Sequence, residues 1–280
     1  MLDAGRVGLS IVETREKTSM DLQLNGARVL VTGASKGIGE CCASVLAAEG
    51  CDLVLTARSG DVLGRIGHML SELHQVDVVT HVADLSRDAE REHLAETYPH
   101  VDVLVNCAGV APMGALADIP IESWRRGWDL KVYGYVHLTQ LFLAEMSSRG
   151  KGCIINIIGT AGRMPRADYI CGSTGNASLI AFTEAVGGES PETGVRVLGI
   201  NPGYTATERF MGRRLTDGDL DPEELRRDYP GMRVQHPDAI ADVVAFMASQ
   251  RARGLSGVVI DCDRGQLRFG PTKPTLPKAR

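Results

Sequence analysis

No run of apolar residues in this chain is long enough to cross a bilayer, which takes about 20 in succession. Residues 1–24 carry Arg6, Glu13, Arg15, Glu16 and Lys17 and lack the apolar centre of a signal peptide. They are expected to form a flexible extension, and the protein is expected to be cytoplasmic with no membrane partner. An excess of positive charge is missing too. The formal net charge is −5, which gives no electrostatic reason to expect nucleic acid as a partner. The seven cysteines include no C-x-x-C pair, so neither a disulfide framework nor a zinc site is indicated. They read as reduced, small apolar side chains. The seven histidines show no metal-ligand spacing, and no metal is expected. There is no internal repeat and no interdomain linker, and 280 residues suffice for one large domain.

What is present is an ordinary globular composition, 44% apolar and 23% charged. Short β-branched runs fall at 28–32, 52–56, 78–82, 101–106, 153–158, 196–200 and 257–261. Between them, apolar residues recur at helical spacing over 41–49, 63–74, 90–98, 124–148, 174–188 and 238–248. This alternation predicts an α/β domain over 25–265, a doubly wound parallel sheet of about seven strands with helices on both faces. The ligand crevice of such a sheet lies beyond the carboxyl ends of its strands. Residues 208–234, rich in Arg, Asp and Pro, break the pattern and read as a lid over that crevice. Residues 266–280 read as an irregular tail.

The stretch Thr32-Gly33-Ala34-Ser35-Lys36-Gly37-Ile38-Gly39 follows the first strand and opens the first helix. A glycine-rich turn in that place lets backbone N–H groups approach a pyrophosphate and aims a helix N-terminus at its charge. Taken with Asp84-Leu85, Asn106-Cys107-Ala108-Gly109, Asn156–Ile158, Asn201-Pro202-Gly203 through Thr207, and Asp263-Arg264-Gly265, the chain resembles a short-chain dehydrogenase/reductase from about residue 26 to 265. The resemblance implies a Rossmann fold, with Gly33, Ser35, Lys36, Gly37, Ile38 and Gly39 at the pyrophosphate. It implies Asp84 and Leu85 beside the adenine, and Asn106, Ala108 and Gly109 on the central strand beside the cofactor. Pro202, Gly203 and Thr207 would hold the nicotinamide carboxamide. Assembly as a homodimer or homotetramer through the long helices is implied as well.

Cofactor choice has a physical argument. A carboxylate ending the second strand would accept from the adenosine ribose hydroxyls and repel a 2′-phosphate. Ala57 stands there, followed by Arg58, and Lys36 lies in the turn. Two cations and no anion favour NADP(H) over NAD(H).

The residues for chemistry depart from the family pattern. A phenol with pKa near 10 needs a neighbouring cation before it works well as an acid–base near neutrality. In the family a Tyr has this role, a Lys four residues on tunes it, a Ser holds the substrate oxygen, and an Asn on the preceding helix supports a water. In the register set by Asn156–Ile158 and Asn201–Gly203, the Ser position is Gly159, the Tyr position Gly172, the Lys position Asn176 and the Asn position Lys131. Lys and Asn have traded places. Tyr169 lies three residues before Gly172, about one helical turn, and glycine at 172 leaves room for it to fold over. The expectation is a relocated pair, Tyr169 as acid–base and Lys131 as its tuning cation, with Thr160 replacing the Ser and Asn176 beside the cofactor ribose. In the alternative, Tyr169 walls the pocket, Lys131 pairs with Asp129 or another acid, and Thr160 caps a turn. Phe210 and Met211 would wall an apolar substrate, and Arg209, Arg213, Arg214, Arg226 and Arg227 could meet a carboxylate or phosphate or pair with the interspersed Asp217, Asp219, Asp221, Glu223, Glu224 and Asp228.

The leading function is an NADP(H)-dependent oxidoreductase of a small-molecule ketone or secondary alcohol. A non-redox acid–base enzyme in the same cleft and an inactive nucleotide-binding partner protein are the alternatives. If Lys36 and Arg58 select the cofactor, NADPH quenches protein fluorescence at lower concentration than NADH. Equal or reversed affinities would defeat that argument.

Overall fold

The structure, a computed structural model, describes residues 20–212, 227 and 231–269. Most of the expected extension (1–19), lid (213–226 and 228–230) and tail (270–280) lies outside the described residues. The strands are β1 Arg28–Thr32, β2 Asp52–Ala57, β3 Val78–Val82, β4 Val103–Asn106, β5 Gly152–Ile157, β6 Val195–Pro202 and β7 Val259–Cys262. They form one 7-stranded sheet in the order β3-β2-β1-β4-β5-β6-β7, and every pair is parallel. The order reverses between β1 and β4, which opens a crevice at their carboxyl ends.

Helices α1 Gly37–Ala48, α2 Gly60–His74, α3 Asp88–Thr97, α4 Ile121–Trp128, α5 Gly134–Arg149, α6 Ile170–Glu189, α7 Glu208–Met211 and α8 Asp238–Ala248 connect the strands. The two-residue period of a strand divides the core. Val29, Val31, Leu53, Leu55 and Val105 pack with Leu46, Leu63, Leu70, Ile240 and Val244 of α1, α2 and α8. Leu30, Val54, Leu104 and Ile154 point the other way, onto Leu94, Leu138, Phe142 and Met146 of α3 and α5. Each of these buried side chains contributes about 1.5–3 kcal/mol of apolar burial.

Polar groups in the sheet centre are paired across strands. Asn106 stands opposite Asn156 in register and donates to its Oδ1 at 2.9 Å. Asn156 in turn donates to Thr183 Oγ1 on α6 at 3.0 Å. At the crevice, Thr32 Oγ1 accepts from the N–H groups of Cys107 (2.8 Å) and Ala108 (3.0 Å). One hydroxyl thus joins the end of β1 to the exit of β4.

Several boundaries differ from the sequence reading. β4 begins at Val103 rather than 101, and α6 begins at Ile170 rather than 174. The expected helix over 124–148 is divided by a π-helical turn, Asp129–Tyr133. Gly187 packs inward on Val197 and Gly257, so its close approach is intramolecular, whereas Gly188 faces open space.

Replacing Thr32 by Val strands two partly buried amide donors, at up to about 1–3 kcal/mol for each group left unsatisfied. The urea midpoint of Thr32→Val should fall, with Thr32→Ser restoring most of it; an unchanged midpoint would mean water replaces the hydroxyl.

Candidate active site

The glycine-rich turn is built by close approach. Gly33 has φ +70°, and a Cβ there would lie 2.9 Å from Ala108 Cα. A side chain at Gly39 would run into the Gly33 carbonyl. Lys36 occupies the N-cap of α1 in extended conformation, without a side-chain capping bond. The first N–H groups of α1 are therefore open to an anion. Thr207 faces this turn, its Cγ2 3.2 Å from where a Cβ on Gly37 would stand. Its hydroxyl caps α7 by accepting from Phe210 N at 3.3 Å. Pro202 ends β6, and Gly203 N donates to Cys262 O at 3.0 Å.

At the other end of the crevice, Leu85 is buried and Asp84 accepts from the hydroxyl (2.8 Å) and amide (3.2 Å) of Ser86. Burial raises the Asp84 carboxyl, but these bonds and the charges of Arg58 and Arg87 together hold it below its usual range. Arg58 therefore lies in the field of Asp84, with its side chain exposed beyond buried Ala57.

The catalytic end shows small residues whose space is filled from elsewhere. Gly159 has φ +144°, a conformation disfavoured for any residue with a Cβ. The amide Nδ2 of Asn176 lies 2.8 Å from the point a Cβ would occupy there. Asn176 Oδ1 is buried with no hydrogen-bond partner. The ring of Tyr169 fills the volume over Gly172, as the sequence suggested. Tyr169 does so as the N-cap of α6, with φ −140° and ψ 38°, not from within a helix. Among the described residues its hydroxyl has no protein partner, and neither has that of Thr160, which opens a 3-10 turn, Thr160–Gly162.

Lys131 sits in the π-helical turn and packs on Gly109. Its Nζ donates to Ile158 O at 2.6 Å, so the sequence alternative of a pair with Asp129 is not formed. Burial, and after it the charge of Arg209, pushes Lys131 down to about 8. Burial also pushes the neighbouring Cys107 thiol up to about 12. No hydrogen bond joins Lys131 to Tyr169. Arg166 forks onto Asp168 at 3.0 and 2.7 Å and reaches Tyr204 Oη at 3.5 Å. The direct Tyr169–Lys131 contact expected from the exchange of positions is therefore absent. The ammonium is spent on the strand-end carbonyl of Ile158 instead.

Phe210 and Met211 pack with Tyr204, Met232 and Val234 in a small apolar cluster, the rings of Phe210 and Tyr204 5.7 Å apart. Arg209 turns the other way and donates to Gly109 O and Ala111 O, 3.2 Å each. The π turn, the Arg166–Asp168 fork and the reach of Arg209 escaped the sequence reading. Only the Arg-x-Asp spacing of 166 and 168 left a trace there.

A parallel sheet with a glycine-rich turn after β1, facing a Pro-Gly turn after β6, defines a class of dinucleotide-dependent enzyme. The family profile for short chain dehydrogenases matches residues 27–218, and the chain belongs to that family. It is 28% identical over 254 residues to D-beta-hydroxybutyrate dehydrogenase of Cupriavidus necator, covering 86% of this chain and 98% of that one. L-sorbose reductase of Gluconobacter frateurii, solved with NADPH and L-sorbose, superposes with a TM-score of 0.78 at 26% identity, covering 89% of this chain and 99% of that one. A 7 alpha-hydroxysteroid dehydrogenase solved with NADH gives 0.78 at 26%, covering 88% and 96%.

A methyl group at 172 would occupy the place of the Tyr169 ring. If Tyr169 carries the proton, Gly172→Ala lowers kcat/KM by about 10²-fold without loss of helix by circular dichroism. Undiminished turnover would take Tyr169 out of the chemistry.

Proposed function

We propose that this chain is an NADP(H)-dependent oxidoreductase that interconverts a ketone and a secondary alcohol on a small molecule. The observation that carries the reading is the hydroxyl of Tyr169, which has no partner among the described residues and stands over Gly172, together with the open glycine-rich turn at the N-terminus of α1. The bound nicotinamide supplies the hydride chemistry.

The residues present fit such a cofactor. Gly33 and Gly39 leave the backbone bare, and the buried acceptor Asn176 Oδ1 lacks a donor that a ribose hydroxyl provides. Ser35, Lys36, Gly37 and Ile38 hold the pyrophosphate, and Lys36 with Arg58 takes a 2′-phosphate. Asp84 and Leu85 border the adenine, while Asn106, Ala108 and Gly109 line the central edge. Pro202, Gly203 and Thr207 hold the carboxamide. Tyr169 gives or takes the proton at the substrate oxygen, Thr160 orients that oxygen, and Lys131 keeps the potential positive around it. Phe210 and Met211 wall the substrate. The same reading takes the chain as a cytoplasmic homodimer or homotetramer.

An amine brought down to about 8 is also suited to proton transfer without redox, which supports a second reading as a dehydratase, isomerase or cyclase. Loss of NADPH absorbance with any member of a carbonyl panel selects the first reading; product formation at constant absorbance selects the second.

Lys131 is charged below about 8 and neutral above it. If its ammonium is required, kcat/KM declines as pH rises through that value. Lys131→Arg, charged throughout, should carry the plateau to higher pH. An identical alkaline limb in Lys131→Ala would assign the titration to another group.

A further inference from the structure

The crevice holds two cations that no carboxylate among the described residues neutralises. Arg209 bonds only to the carbonyls of Gly109 and Ala111, and Lys131 only to that of Ile158. Neither has a carboxylate partner among the described residues. Other arginines near the crevice are matched: Arg166 by Asp168, and Arg163 by Asp261 at 2.9 Å. Glu208, beside Arg209 in the chain, acts on Glu40, whose carboxyl is raised by burial and then by that charge. The thiol of Cys107 stays protonated and offers no compensating charge.

The two cations meet at one residue. Arg209 sits on the carbonyl of Gly109, and the stem of Lys131 packs on its Cα side, with Cδ 3.0 Å from where a Cβ would be. Lys131 is partly buried and Arg209 exposed; their like charges oppose each other, and an anion placed between them would be favoured. The second anchor of Arg209, Ala111, belongs to the apolar cluster that includes Tyr169. One foot of the guanidinium thus stands beside the Tyr169 cluster, while Thr207, two residues earlier, faces the α1 turn. Carbonyl bonds of 3.2 Å are long for a guanidinium and can be exchanged for a fork onto a carboxylate.

We propose that Arg209 and Lys131 form an anion subsite for a carboxylate of the substrate, making the substrate a keto or hydroxy carboxylic acid. This rests on the oxidoreductase reading above and narrows it. Oxalate is a suitable probe, titrated calorimetrically into the protein saturated with NADP+. It should bind, and Arg209→Gln should weaken it about tenfold or more, as expected for loss of a charge-assisted fork, with NADP+ affinity unchanged. Arg209→Lys should recover part of the loss. Equal oxalate binding by the two proteins, or none by either, overturns the proposal. So does a parallel loss of NADP+ affinity in Arg209→Gln, which would give the arginine to the cofactor phosphates. Arg209 is exposed, and its thermal unfolding midpoint serves as the check on folding. Turnover of uncharged ketones without oxalate binding defeats this inference alone. Oxalate binding without NADPH oxidation by any carbonyl defeats the oxidoreductase reading and leaves the subsite standing.

Discussion

The hydroxyl of Thr32 holds β1 and β4 together where the sheet changes direction, by accepting from two successive amides on the chain leaving β4. Parallel strands deliver all their carboxyl-end loops to one edge. At that edge the glycine-rich turn after β1, the Asn106–Gly109 segment after β4 and the turns after β5 and β6 converge. Were β1 and β4 to separate, Gly33 would lose its contact with Ala108, and the crevice would lose its floor. The Asn106–Asn156–Thr183 chain extends the same lock through β5 to α6. The segment carrying Tyr169 and Asn176 is thereby tied to the segment carrying the cofactor turn.

The departures at the catalytic end form one packing solution. Removing side chains at 159 and 172 would leave voids that a close-packed interior does not keep. Asn176 leans over Gly159, and Tyr169 covers Gly172. Lys131 comes in from the opposite helix, turned towards Ile158 O by a π-helical turn. Wide turns of this kind are often found at functional sites because they re-aim a side chain without ending the helix. Here the re-aimed group is a cation beside a second cation, Arg209, in a cleft with little carboxylate to balance them. Arg166, in contrast, is matched by Asp168. Charge in the pocket is thus divided between a matched loop and an unmatched floor.

Much of this was legible along the chain. The short β-branched runs predicted all seven strands; for the central ones the reason is that a strand buried on both faces must be apolar almost throughout, whereas the exposed edge strand β3 was marked by its β-branched residues alone. The place of Tyr169 over Gly172 followed from the missing Cβ and a spacing of three. The Asn106–Asn156 pair left a signal that the sequence reading did not use: two amides near the carboxyl ends of apolar strand runs, at positions where β4 and β5 stand in register. The early start of α6 was harder to see. Gly172 and Gly175 lower helix propensity locally, and it is packing against Val132 and Trp128 that makes the first turns helical.

The sequence by itself determined the sheet, its crevice and the dinucleotide turn, since hydrophobic period and backbone-bare glycines are local properties that survive in any context. Tertiary structure decided which charges face one another. Whether Lys131 meets Asp129, Tyr169 or a strand-end carbonyl depends on a π turn and on the angle between helices. Whether Arg209 meets an acid or two carbonyls depends on how a four-residue helix sits across the crevice. Such contacts join residues far apart in the chain, and electrostatic energy depends on distance and dehydration, neither of which is written in residue order.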